Sequence, residues 1–386
     1  MDAKGVKEAL KAQKIETPSW AYADSGTRFH VFKQPSAART LREKLEDAAQ
    51  VQRFTGVCPS VAIHIPWDTV RDWGEIAAYA GELGLSIGAV NPNLFGDDDY
   101  KLGSLANPVD TVRAKAVRHV KECIGIARET GSKIISLWIS DGTDFPGQDS
   151  FRGRKARLEN TLRDICGALP AGFRLLLEYK FFEPSFYHTD LFDWGTAFML
   201  CGKLGAQAQV LVDIGHHPLG TNIEQIVAYL LDEHLLGGFH FNDKKYADDD
   251  LVTGTINPYQ LFLIFCELVD ASLDKKTART TSEVAYMIDE SHNLKNKIEA
   301  TIQSVITIQE SYAKALLVDR GALDAARREG RIVDAEECVK DAFKTDVRPL
   351  LGEVREEMGL DPDPLKAFRR SGYTERAQKA RAKSTK

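Results

Sequence analysis

Side chains that can bind metal ions recur at the ends of apolar runs between residues 171 and 291. The seven candidates are Glu178, Asp213, His216, His240, Asp248, Asp250 and Asp289. A charged group that leaves an apolar run must be paired, solvated or bound to an ion. Carboxylates and imidazoles without thiolates favour Mn²⁺, Mg²⁺ or Co²⁺ over structural zinc. Seven such ligands suffice for two divalent cations, so the sequence predicts a metal-dependent enzyme.

We assign these residues to two predicted ligand sets. The first comprises Glu178, Asp213, His240 and Asp289, and the second comprises Glu178, His216, Asp248 and Asp250. Glu178 is expected to bridge them, because paired catalytic metals lie about 3.5 to 4 Å apart. Asp248 and Asp250 are two residues apart, so on an extended loop they face the same side.

Several of these ligands also have an interpretation that involves no metal. Glu178 could pair with Lys180 if its strand continues. Asp213 could cap a helix, and His240 could be a hydrogen-bonded core histidine. The acidic loop around Asp248 could simply be solvated. The metal interpretation is preferred because Glu178, Asp213 and His240 stand at equivalent points of three consecutive apolar runs.

The elements that must position these residues alternate between short apolar runs and helical periodicity. The strand-like runs are residues 60–66, 85–91, 133–140, 173–178, 209–213, 237–242 and 283–289, with the weaker run PSWAY (18–22) before them. Strands that alternate with helices indicate a parallel sheet, either open and doubly wound or closed. Eight strands close a (β/α)8 TIM barrel, and polar residues at the strand ends match the face where barrel enzymes build their sites. The barrel is therefore the predicted fold.

The chain outside the barrel repeat reads as helix. Residues 1–16 predict a short polar helix, and the sequence from about 295 onward is helical and charged, with a basic end. We expect a barrel domain over residues 1–315 and a helical extension over 316–386. The extension is expected to pack on the barrel or on a neighbouring subunit. The last dozen residues are expected to form a flexible, solvated tail.

Composition excludes several classes of protein. The 386 residues suit one barrel with extensions, and 43% hydrophobic with 27% charged residues is typical of a soluble globular protein. A net charge of −6 leaves no basic surface for nucleic acid, and no run reaches the length of a membrane span. The six cysteines have no CxxC pair and are expected to be reduced. A cytoplasmic location is expected.

Several long motifs resemble one family of sugar enzymes. EYKFFEPSFYHT, VDIGHHPLGTNIE, GGFHFNDKKYADDD, YMIDESHN, IETPSWAYADSGTRF and NPNLF resemble the L-rhamnose isomerase family, in its shorter bacterial branch with broad aldose specificity. The resemblance runs from about residue 12 to the C-terminus. It implies a homotetrameric barrel with two Mn²⁺ per subunit, for which Co²⁺ or Mg²⁺ can substitute. The implied reactions are L-rhamnose to L-rhamnulose and, in this branch, D-allose to D-allulose.

Chemical roles follow from that resemblance. Isomerisation moves hydrogen from C2 to C1 and a proton between O2 and O1; metals would stabilise the charge on both oxygens, and a metal-bound water would shuttle the proton. The expected catalytic residues are Lys180, Asp289, Ser291 and His64. Trp20, Phe29, Phe95 and Trp138 are expected to bind the sugar, and Phe29 matches a residue that reaches a neighbouring subunit in relatives. Without the resemblance, such aromatic residues belong more often to a core, and Lys180 to the surface.

Three other functions are compatible with part of this pattern. Another sugar isomerase or a ketose 3-epimerase would keep the metals but change Lys180 and the DxD feature. A barrel endonuclease would need additional histidines and basic loops, and the pI near 5.9 argues against it. A non-catalytic barrel would have lost at least one ligand, whereas all seven are present.

Overall fold

A closed barrel of eight parallel strands organises the computed structural model, which describes residues 3–25, 31–182 and 188–383. The strands are β1 (Glu16–Pro18), β2 (Ser60–Ile65), β3 (Ser86–Pro92), β4 (Ile134–Trp138), β5 (Arg174–Glu178), β6 (Ala208–Asp213), β7 (Leu236–Phe241) and β8 (Ala285–Ile288). Each strand pairs with the next in the chain, and β1 also pairs with β8 through Glu16 and Met287. The (β/α)8 prediction is confirmed.

The first strand lies earlier in the chain than predicted. PSWAY was expected to be a strand, but only Pro18 belongs to β1, and Ser19–Tyr22 form a 3-10 helix. A proline has no N–H to donate to a sheet, so a strand readily ends there. The turn, in which Ala23 N–H donates to Trp20 O at 3.3 Å, leaves Trp20 at the upper mouth of the barrel.

One helix, α1 (Ala3–Ala12), precedes the first strand, and the others cover the outside of the barrel between consecutive strands. They are α2 (Leu41–Thr55), α3 (Trp73–Glu82), α4 (Asp110–Thr130), α5 (Phe151–Gly167), α6 (Trp194–Leu204), α7 (Ile223–Asp232), α8 (Pro258–Leu273) and α9 (Ala278–Glu283). Side-chain caps fix several starts: Thr40 accepts from Glu43 N–H and Asn257 from Gln260 N–H. None of the described helices is long and apolar enough to cross a membrane.

Two apolar regions hold the barrel together. The larger one lies between the strands and the surrounding helices, and it includes the fully buried Phe239, Phe241 and Phe262. A smaller cluster of Ala62, Ala89, Met287 and Trp20 is separate from it. Side chains alternate faces along a strand, so Ala62 shares a face with His64, and Met287 shares a face with Asp289. These faces point into the barrel. Two alanines, a methionine and a tryptophan therefore fill the interior beneath the upper mouth.

The C-terminal part folds back over the barrel as six helices. They are α10 (Lys297–Leu316), α11 (Arg320–Arg328), α12 (Ile332–Lys344), α13 (Arg348–Glu357), α14 (Pro364–Ser371) and α15 (Tyr373–Lys383). The expected domain boundary at 315 falls at the end of α10. Arg381, in the expected solvated tail, is instead buried and pairs with Asp47 of α2 at 2.8 Å. This ion pair satisfies a buried carboxylate, so α15 packs on the barrel at least to Arg381.

Candidate metal centre

Four predicted ligands meet at the carboxyl ends of neighbouring strands. Glu178 ends β5, Asp213 ends β6, His240 lies in β7 opposite Asp213, and Asp289 follows β8. One ligand atom from each lies within 4.8 Å of the others. His240 Nδ1 is central, at 3.1 Å from Glu178 Oε1, 3.4 Å from Asp289 Oδ2 and 3.6 Å from Asp213 Oδ2. These four residues form what we call cluster A, and they are the first set predicted from the sequence.

A second group, cluster B, consists of Asp213, His216 and Asp248. His216 Nε2 lies 3.4 Å from Asp248 Oδ2 and 3.9 Å from Asp213 Oδ1. Its Nδ1 lies 3.1 Å from Tyr179 O, a carbonyl that only accepts hydrogen bonds. The ring therefore carries its proton on Nδ1 when neutral and leaves Nε2 for a ligand, the usual arrangement of a metal-binding histidine.

A short turn brings His216 into place after β6. Gly215 N–H donates to Asp213 Oδ1 at 2.7 Å, which starts the 3-10 helix Ile214–His216. A Cβ at Gly215 would lie 2.8 Å from Asp248 Oδ1 and 3.1 Å from Asp213 Oδ1. Only glycine allows the backbone to approach both carboxylates this closely, so the turn is tied to the ligand pair.

The carboxylate common to both clusters differs from the one expected. Asp213 contributes to clusters A and B, whereas Glu178 was expected to be the bridge. Glu178 nevertheless lies close to the second group, with Oε1 at 3.4 Å from His216 Nδ1. Asp250 belongs to neither cluster: its φ of 49° is left-handed rather than extended, and it lies in the cavity wall. The predicted DxD geometry, which needs an extended loop, is therefore not the one observed.

The electrostatics of the two clusters suit a cation. Burial would lower the pKa of His216, but Asp213 and Asp248 raise it to about 9. Burial likewise opposes the charged form of His240, yet Glu178, Asp213 and Asp289 raise its pKa well above the ordinary value. So much buried negative charge requires positive charge nearby, from protons or from metal ions. The oxygen and imidazole donors fit hard or borderline divalent cations.

Neighbouring side chains fix the orientation of two ligands. Trp20 Nε1 donates to Asp289 Oδ1 at 2.9 Å. Asn242 Nδ2 donates to both oxygens of Asp213, at 2.9 and 3.0 Å. Sequence reasoning missed Asn242, which directly follows β7, two residues after His240. Such outer contacts hold metal ligands in one geometry.

A cavity of about 860 Å³ opens above the clusters at the carboxyl ends of the strands. Its aromatic wall joins predicted Trp20, His64, Phe95 and Trp138 with Trp67, which sequence reasoning missed. His64 stacks on Trp67 with ring centroids 3.9 Å apart, and Phe95 meets Trp138 edge-on at 4.7 Å. Trp67 is partly exposed and belongs to no periodic apolar run, so no sequence pattern identified it. Phe29, also predicted here, lies outside the described residues.

The predicted catalytic residues all line this cavity, in different surroundings. Lys180 Nζ is buried 2.8 Å from Asp248 Oδ2 and 4.9 Å from the centre of the Trp138 ring. Burial and the nearby Lys44 lower the pKa of His64 to about 3, so its imidazole is neutral at pH 7. Ser291 lies farther from the clusters, and its hydroxyl donates to Ser25 O at 2.8 Å. Lys180 thus places an ammonium group 2.8 Å from a carboxylate of cluster B.

Comparison with known proteins agrees with this geometry. The model of the xylose isomerase-like TIM barrel family matches residues 45–262. The chain belongs to this family. A probable sugar isomerase of Rhizobium meliloti is 42% identical over 381 residues, covering 97% of this chain and 88% of that protein. A second probable sugar isomerase, of Mesorhizobium japonicum, is 40% identical over 383 residues, with the same coverage. The protein is thus a barrel enzyme of the sugar isomerase and epimerase type.

More distant similarity is found with a xylose isomerase of Thermus thermophilus, 26% identical over 214 residues, covering 50% of this chain and 51% of that protein. Among solved structures, an L-ribulose 3-epimerase superposes with a TM-score of 0.55 at 15% identity, covering 83% of this chain and 98% of that one. A D-allulose 3-epimerase from Methylomonas sp. gives 0.57 at 13%, covering 78% and 97%. At these identities the structural likeness shows the barrel fold alone.

Proposed function

We propose that the protein is a metal-dependent aldose–ketose isomerase that converts L-rhamnose to L-rhamnulose and, as a side activity, D-allose to D-allulose. The observation that carries the proposal is the pair of clusters sharing Asp213, directly beneath a cavity that also holds the Lys180 ammonium. The choice of L-rhamnose and D-allose rests on the motif resemblance. Two Mn²⁺ per subunit are proposed, with Co²⁺ or Mg²⁺ as substitutes.

The reaction explains why this site needs so many charges. In the open-chain aldose, hydride leaves C2 for C1, and the O2 proton is transferred to O1, so that C2 becomes the carbonyl carbon. Negative charge develops on both oxygens during this exchange. Bound divalent cations would act there as Lewis acids. Cluster A would hold one through Glu178, Asp213, His240 and Asp289. Cluster B would hold the other through Asp213, His216 and Asp248, with Asp250 and Glu178 as further ligands.

Lys180 is proposed to stabilise the charge on O1. Its ammonium is buried, and it lies 2.8 Å from Asp248 Oδ2 and 4.9 Å from the centre of the Trp138 ring. A cation fixed in a water-poor site interacts more strongly with a developing oxyanion than one in solvent. Asp289 and Ser291 are proposed to complete the catalytic set from the loop after β8.

The aromatic wall is proposed to bind the sugar and help open its ring. Trp20, Phe95 and Trp138 offer flat apolar surfaces, which suit the C–H faces of a sugar. His64 stays neutral, so its ring presents one donor and one acceptor at once. That pair of functions allows proton transfer between the ring oxygen and the anomeric hydroxyl during ring opening. Phe29 is proposed to contribute from a neighbouring subunit of a homotetramer, which light scattering tests.

A ketose 3-epimerase is the alternative, because an epimerase would use the same kind of metal cluster. The two reactions differ in where hydrogen goes. A hydride shift keeps the C2 hydrogen within the sugar, whereas 3-epimerisation by proton removal exchanges the C3 hydrogen with solvent. Reaction in D₂O followed by NMR therefore separates them. Ketose formed from L-rhamnose without deuterium at C1 supports the isomerase, and deuterium at C3 of a ketose substrate supports the epimerase.

The direct test is ketose formation from L-rhamnose and D-allose by EDTA-treated protein, with and without Mn²⁺, Co²⁺ or Mg²⁺. Asp248→Asn should abolish the metal-restored activity. Asp249→Asn is the matched control, because Asp249 accepts hydrogen bonds from Lys245 and Tyr246 N–H and does not line the cavity. A folded, Mn²⁺-loaded protein that converts neither sugar would refute the rhamnose assignment.

A further inference from the structure

A second cavity, of about 410 Å³, lies at the opposite end of the barrel from the metal clusters. It is bordered by the first residues of several strands and by the loops that lead into them. Catalytic sites of such barrels lie at the carboxyl ends of the strands, so the proposed isomerisation does not use this cavity. A layer of apolar side chains that includes Ala62, Ala89 and Met287 separates the two ends.

Three cations line this lower cavity without a carboxylate partner. Lys14, Lys133 and Arg174 border it, and none of the ion pairs formed within the described residues involves any of these three side chains. Arg174 Nη1 donates to two neutral acceptors, Gln209 Oε1 at 3.0 Å and Gly237 O at 3.2 Å. Its Nε and Nη2 make no hydrogen bond to the described residues and remain for a ligand. Burial lowers the pKa of Arg174, and the Glu283 carboxylate, which pairs with Arg279 at 3.1 Å, opposes that shift without forming an ion pair with Arg174.

The carboxylate of this cavity is engaged elsewhere. Both oxygens of Glu16 accept from Ala89 N–H, at 3.1 and 3.2 Å. The carboxylate also fills the space beside Gly88, where a Cβ would lie 1.2 Å from Glu16 Oε2. Glu16 is thus held against β3 rather than against Arg174. With three cations and one carboxylate, the lining carries a net charge of +2 when Glu16 is ionised.

We propose that the lower cavity is a binding site for a small dianionic oxyanion, a phosphate group or a dicarboxylate. Arg174 would bind the anion through Nε and Nη2, the fork geometry that suits both phosphate and carboxylate oxygens. Lys14 and Lys133 would supply the remaining charge from the rim. Ser60, at the start of β2, lines the same space, and its side chain hydrogen-bonds the Glu16 carboxylate.

Isothermal titration of the metal-loaded protein with inorganic phosphate, and separately with malonate, tests this site. Arg174→Gln should weaken binding about tenfold, since charged hydrogen bonds are lost. Lys133→Gln, at an exposed position that folding does not need, should weaken it about threefold. Arg328→Gln, which removes an exposed arginine on α11, is the matched control and should leave the affinity unchanged.

The two ligands distinguish the chemical source of the anion. If Arg174→Gln and Lys133→Gln both weaken anion binding, the tighter of the two ligands identifies the anion. Tighter phosphate binding assigns the site to a phosphate group, and tighter malonate binding assigns it to a dicarboxylate. Phosphate bound only at the metal clusters would bind Arg174→Gln and Lys133→Gln as tightly as the unaltered protein. That result, or no binding of either anion, would overturn the proposal.

Discussion

The indole of Trp20 determines which oxygen of Asp289 faces cluster A. Trp20 Nε1 donates to Asp289 Oδ1 at 2.9 Å, and the other oxygen, Oδ2, lies 3.4 Å from His240 Nδ1. The bond spans the seam where β1 and β8 close the barrel. A residue in the turn after the first strand thereby orients a ligand that follows the last strand.

Trp20→Phe should lower the affinity for Mn²⁺ about 10- to 100-fold, the range found when an outer hydrogen bond to a metal ligand is removed. Phenylalanine keeps an aromatic ring in the cavity wall but has no N–H. Titration of the EDTA-treated variant with Mn²⁺ measures the change. The control is Trp194→Phe, because Trp194 does not line the cavity. Equal affinities of the two variants would show that the indole does not orient Asp289.

Lys180→Met should lower kcat about 100-fold, the magnitude expected when one stabiliser of an oxyanion is removed. Mn²⁺ affinity should not fall, because removing the ammonium relieves its competition for Asp248 Oδ2, now 2.8 Å away. Lys244→Met is the matched control: its cation feels the charges of Asp213 and Asp248 but does not line the cavity. An equal loss of kcat in both variants would show that Lys180 acts only as nearby positive charge and does not specifically stabilise the charge on O1.

Most of the fold could be predicted because parallel strands buried on both faces leave continuous apolar runs in the sequence. All six residues of β6 and of β7 are buried, and both were predicted nearly to the residue. β1 was misplaced because it has only three residues, which is too short to establish a period. Its position depends on pairing with β2 and β8, and those contacts are distant in sequence.

The site was harder to predict than the fold. Ligands at strand ends were recognisable, since a carboxylate such as Asp213 ends an apolar run. The sharing of Asp213 by two clusters was not, because it depends on a side-chain rotamer and on the turn at Gly215. Asn242 and Trp67 were missed for another reason. An amide and an exposed tryptophan have many structural roles, and only the distance to Asp213 or to the His64 ring identifies theirs.

His64 should make the protein less stable in acid. Burial, with a contribution from Lys44, lowers its pKa to about 3 in the folded protein. The unfolded chain, with a pKa of about 6.5, takes up a proton that the folded protein does not, so stability is lost as the pH falls from 6.5 towards 3. Between pH 7 and pH 5 this group alone should lower the free energy of unfolding by about 2 kcal/mol.

The measurement is urea unfolding at pH 7 and pH 5 of the unaltered protein and of His64→Phe, which keeps the stack on Trp67 but cannot titrate. The drop between the two pH values should be smaller in the variant by about 2 kcal/mol. Other titrating groups, including the metal ligands, are common to both proteins and cancel in the comparison. An equal drop in both would mean that His64 accepts a proton in the folded state.

The Arg381–Asp47 ion pair should contribute more to stability than its position at the chain end suggests. Asp47 is 1% exposed, and it also accepts from Tyr373 OH at 2.8 Å, so its carboxylate depends on α15 for both partners. Arg381→Met leaves a buried carboxylate unpaired and should lower the free energy of unfolding by about 3 to 5 kcal/mol. Adding Asp47→Leu removes that charge and should recover part of the loss. Arg376→Met, on the exposed side of the same helix, should change little. Urea unfolding of the unaltered protein and of these three variants measures the changes in stability. A double variant no more stable than Arg381→Met alone would show that α15 stabilises the barrel through its packing rather than through the charge pair.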